Sequence, residues 1–87
     1  MIAEFDTPEY HAAALAYDQQ RLEESRENLI REEAALARAR EKVATVTGRS
    51  LGYWKCELRR AEGAVVRQRK NVDMYYSLIN YGAAVIN

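Results

Sequence analysis

Apolar residues recur at every seventh position along two stretches of the chain. The first series is Leu15, Leu22, Leu29, Leu36 and Val43, and the second is Leu51, Leu58, Val65, Val72 and Ile79. A seven-residue apolar repeat marks an α-helix that lays one stripe against a neighbouring helix. Between the two series stands Thr47-Gly48-Arg49-Ser50. Gly48 suits the left-handed conformation that ends a helix, and Ser50 can cap the next one. The pattern predicts an all-α fold: two long helices forming an antiparallel coiled-coil hairpin. Residues 1–6 read as an arm, 7–46 as the first helix, 47–50 as the turn and 51–85 as the second helix, in one domain over 1–87.

The ends carry their own signals. Thr7 can cap the first helix, Pro8 suits its first position, and Glu9 favours the positive end of the helix dipole. Gly82 offers a stop for the second helix, whereas Ile86, on the same apolar stripe, argues for continuation. Folding the chain at the turn sets Leu36 against Leu58, Leu29 against Val65, Leu22 against Val72 and Leu15 against Ile79. The layers between pair Ala39 with Trp54, Glu32 with Ala61, Ser25 with Gln68 and Asp18 with Tyr75. The first matches small with large. The last two are polar, and are expected at a wet edge of a narrow two-helix interface.

Composition agrees with long helices: 30% of residues are charged, 48% are hydrophobic, and proline occurs once. The net charge is zero but unevenly spread. Residues 1–46 hold 10 acidic and 6 basic side chains, and residues 47–87 hold 3 and 7. The halves should therefore attract each other weakly. Within the first half, Glu23 with Arg26 and Glu27 with Arg31 have the spacing of intrahelical ion pairs.

Chemistry of the catalytic kind finds little footing. His11 is the only histidine and has no metal-type partner spacing; it is expected exposed in the first turns. Cys56 is the only cysteine, so no internal disulfide forms, and it reads as a small half-buried residue. The acidic cluster around Glu24 and Glu33 lacks the Glu-x-x-His motif of bundle metal sites. No cofactor, metal or catalytic residue is expected. The first residues lack a signal-peptide pattern and no apolar run reaches a membrane span, so a cytoplasmic setting is expected.

The tyrosines are the most suggestive feature. Tyr10, Tyr17, Tyr53 and Tyr81 fall on an outer stripe, Tyr76 on a shoulder of the seam, and Tyr75 on the seam itself. All but Tyr53 gather at the open end, with Met74 and Leu78 and with Ile2, Phe5, Val85 and Ile86 nearby. Tyrosine contributes a large rigid area and a hydrogen bond at low entropic cost, which suits binding hot spots. Partner contacts are therefore expected at Tyr10, Tyr17, Met74, Tyr76 and Tyr81; the alternative is that the arm and tail fold back and cover this cluster.

These observations give a non-enzymatic protein-interaction module as the first expectation: an adaptor, inhibitor or assembly subunit binding a protein partner. A second copy would complete a four-helix bundle, making a homodimer. Small phage-encoded inhibitors share this length and helical compactness. The alternative is a nucleic-acid-associated protein using Arg59, Arg60, Arg67, Arg69 and Lys70 of the basic second helix. The order Gly52-Tyr53-Trp54 after the turn reverses the motif of the secreted Trp-x-Gly hairpins, and no family is assigned.

Overall fold

The computed structural model describes residues 7–86, with side chains over 7–84. The arm over 1–6, and the expected contributions of Ile2, Phe5, Val85 and Ile86 to the open end, lie outside the described residues. Helix α1 runs Pro8–Thr45 and helix α2 runs Arg49–Ile86, 38 residues each, packed side by side as a hairpin. The rod measures 67 × 20 × 14 Å, one helix layer thick. Such a shape buries a stripe rather than a round core.

The caps follow from the residues at the ends. Thr7 has extended backbone and its Oγ1 accepts from the Tyr10 amide at 3.1 Å, satisfying one of the donors that a helix start leaves open. Proline follows in the first helical position, where a missing N–H costs nothing. At the other end Val46 is extended, and its amide donates to the Lys42 carbonyl at 2.9 Å. Gly48 then takes φ +70°, which a side chain would resist. The reversal is so tight that α2 starts at Arg49, leaving Ser50 inside the helix rather than as its cap. The Leu51 amide reaches the Gly48 carbonyl at 3.2 Å. Gly82 does not stop α2, which continues to Ile86.

The seam is thin, and small residues fill its tightest places. Ala39 and Ala61 are fully buried, joined by Leu22, Ala64 and Val65. The other leucines of the repeat are half-buried, as expected where two helices shield only one stripe each. Contacts across the seam agree with the expected alignment to within one helical turn. Arg38 and Lys42, on either side of Ala39, both reach Trp54. Arg21 meets Tyr75, and a Cβ on Gly82 would lie 3.6 Å from Leu15 Cδ1.

The polar layer differs from the wet edge that the sequence suggests. Ser25 is buried, and the Gln68 Oε1 atom is buried without a hydrogen-bond partner. The flanking side chains close over this layer, so a group that water would satisfy at an edge is left unsatisfied inside. The Asp18–Tyr75 layer is more open, and the Tyr75 hydroxyl accepts from Arg21 Nε at 3.4 Å.

Candidate functional site

Next to the turn, the two helices leave an open groove of about 460 Å³. Ala34, Ala35 and Arg38 line it from α1, and Tyr53, Trp54 and Glu57 from α2. Its origin is a size mismatch: two alanine methyls face a tryptophan and a tyrosine, and the space they do not fill remains as a groove. The Trp54 indole is held on several sides. The Arg38 guanidinium carbon lies 5.4 Å from its ring centroid, and Lys42 Nζ lies 5.9 Å away. The Tyr53 ring meets it edge-on at 5.1 Å and 80°. Both cations are attracted to the negative face of the ring.

The groove also sorts the hairpin into two sides. Arg38 and Tyr53 line the same groove from opposite helices, so their stripes share one side of the rod. Stepping back by sevens from Arg38 gives Arg31, Glu24, Tyr17 and Tyr10. Stepping forward from Tyr53 gives Arg60, Arg67, Met74 and Tyr81. The opposite side is spanned by Arg69 Nη2 and Glu33 Oε1 at 3.4 Å.

This division decides which open-end residues act together. Tyr17 (58% exposed), Met74 (47%) and Tyr81 (71%) share the groove side with exposed Tyr10 and Leu78. Tyr76 is equally exposed but two residues from Met74, a rotation of about 200° on a helix, so it faces the other side. The five partner-contact residues read from the sequence thus separate into a coherent four and one outlier. Between the four and the seam, Arg21 donates to the Tyr75 hydroxyl and pairs with Glu24 at 2.9 Å. These neighbours, Tyr75 first, hold the Arg21 guanidinium above its ordinary pKa.

The basic residues of α2 do not converge. Arg60 bridges Glu57 and Glu32, both at 3.1 Å, which raises its pKa through Glu57 and then Glu32. Arg69 is engaged by Glu33 on the far side. Arg67 folds toward Gly63, whose Cβ would lie 3.3 Å from its Nη1. Arg59 and Lys70 are exposed at other angles around the helix. Of the acidic residues of α1, Glu32 and Glu33 make these cross-helix pairs, and Glu24 pairs within α1 with Arg21. The expected pairs of Glu23 with Arg26 and Glu27 with Arg31 are not formed, and Arg31 instead donates to Asn28 Oδ1.

Cys56 is exposed rather than half-buried, because it lies on the outer surface of α2, two residues past the seam position of Trp54. His11 is half-buried rather than exposed, with the Tyr10 ring edge-on at 5.8 Å. Among the described residues no three His, Cys, Asp or Glu side chains gather as metal ligands would. No described helix is long and apolar enough to cross a membrane. The groove at the turn is absent from the sequence reading, although the small pair Ala34-Ala35 across the turn from Tyr53-Trp54 is its signal. Comparison with family models, curated proteins and solved structures gives no match.

Proposed function

We propose that this protein is a non-enzymatic interaction module, an adaptor, inhibitor or assembly subunit, that binds a partner protein through its groove side. The observation that carries the reading is the set Tyr17, Met74, Leu78 and Tyr81, large side chains all left exposed on one side of a thin rod. Apolar area of this kind gains roughly 25 cal/mol for each Å² removed from water, and tyrosines keep the patch soluble until a partner covers it. An exposed cluster of this kind is a feature of interaction sites rather than of monomer surfaces. The exposed thiol of Cys56 suits a reducing, cytoplasmic setting.

A second copy is a weaker occupant of this side than a different protein. The groove side carries Arg21, Arg31, Arg38, Lys42, Arg60 and Arg67 against Glu24 and Glu57. Each copy would bring this excess of positive charge to the interface, and like-charged faces oppose association. The test is quantitative capture from native extract. Tyr17→Ala with Tyr81→Ala should abolish retention of a partner that wild type and Tyr76→Ala both retain. Equal retention by all three would remove the assignment.

A further inference from the structure

The middle and tip of the groove side hold cations that no carboxylate neutralises. Among the described residues Arg31, Arg38, Lys42 and Arg67 make no ion pair, although Arg21, Arg60 and Arg69 all do. Two of the four are drawn to Trp54 at the groove edge. On this side the cations outnumber the two carboxylates, Glu24 and Glu57, which Arg21 and Arg60 already engage, so the row keeps an excess of positive charge.

We infer that this row and the groove beside it take an acidic amphipathic helix of a partner protein. The inference rests on the reading of this side as a protein interface and names the chemistry of the partner. Three features fit such an occupant. Arg31 and Arg38 stand seven residues apart, about 10.5 Å along α1, the same interval as carboxylates seven apart on another helix. The floor of Ala34 and Ala35 beside Tyr53 and Trp54 accepts an apolar side chain from the centre of that helix, and the one carboxylate of the lining, Glu57, is already engaged by Arg60. Arg38 and Lys42 on one rim, with Arg67 further along the other stripe, bracket the helix with positive charge. A helix laid in a groove with charged flanks is a recurrent mode of recognition. Single-stranded nucleic acid fits less well. It needs open ring faces for stacking, whereas Trp54 is half-buried and approached by Arg38, Lys42 and Tyr53.

Trp54 is the only tryptophan in the chain, so its emission reports on the groove directly. The probes are synthetic peptides of about three heptads that lack tyrosine and tryptophan. One carries glutamates flanking an apolar stripe, one replaces them with lysines, and one keeps the acidic composition in scrambled order. The full-length protein should bind the first alone, with a saturable change in Trp54 emission. By titration calorimetry, Arg31→Gln with Arg38→Gln should weaken that binding about tenfold, as two exposed ion pairs are lost. Helicity by circular dichroism confirms that the variant is folded. Equal binding of the scrambled peptide, indifference to the two glutamine substitutions, or tighter binding of a single-stranded oligonucleotide than of the acidic helix would overturn the inference. Its failure is separable from failure of the parent reading, which depends on Tyr17 and Tyr81 at the far end of the rod and is read by capture.

Discussion

The guanidinium carbon of Arg38 lies 5.4 Å from the Trp54 ring centroid, so a cation of α1 is held by an aromatic of α2 across the seam. Lys42 approaches the same ring at 5.9 Å. Each such contact at an exposed position contributes about 0.5–1 kcal/mol. Replacing both cations with methionine keeps much of the apolar stem and removes the charge. The double variant should lose about 1–2 kcal/mol in urea unfolding. Its Trp54 emission should also move, since two charges leave the ring.

The glycines of the turn region should respond with opposite signs. Gly48 has φ +70°, and Gly48→Ala should destabilise by about 1–2 kcal/mol through strain in the left-handed region. Gly52 lies inside α2, and a Cβ there meets nothing within 4 Å. Gly52→Ala should therefore stabilise by about 0.5–1 kcal/mol, because alanine gives up less backbone freedom in a helix. Thermal unfolding of the two single variants checks both signs.

Gln68 places a buried acceptor with no partner in the seam. Such an atom forfeits its hydration, at a cost of about 1–3 kcal/mol. Gln68→Leu should raise stability by about 1 kcal/mol or more. The midpoint should shift upward by about 4–8 °C for each kcal/mol in a domain of this size. An unchanged or lower midpoint would mean that the amide is satisfied in solution.

The Arg60 bridge to Glu32 and Glu57 is exposed to solvent, and its effect should be small. Arg60→Ala should lower the urea midpoint only slightly, and the difference from wild type should shrink as salt rises toward about 1 M. Chemical denaturation in urea at two salt concentrations measures it.

The hairpin was legible because the repeat of Leu15, Leu22, Leu29 and Leu36 is regular and Gly48 stands where the chain must reverse. Thr7 and Pro8 likewise announce the helix start that the structure has. The burial of Ser25 and Gln68 was not legible, because it depends on how closely the flanking side chains close over one layer. Height along the rod sets the open-end residues together, while the side of the rod each faces depends on how the two helices are rotated against each other. By height Tyr76 belongs with Tyr17 and Tyr81, but a two-residue step from Met74 turns it to the other side. The tip groove escaped for a related reason. It exists only where Ala34 and Ala35 of one helix meet Tyr53 and Trp54 of the other, and neither pair is distinctive alone.

The central proposal is that one side of the rod binds the partner. The most direct measurement is photo-crosslinking in native cells, with a benzophenone side chain placed singly at Tyr17, Tyr81 or Tyr76. Tyr17 and Tyr81 should crosslink one and the same protein, and Tyr76 should not. Crosslinking from Tyr76 alone, or of unrelated proteins from Tyr17 and Tyr81, would contradict it.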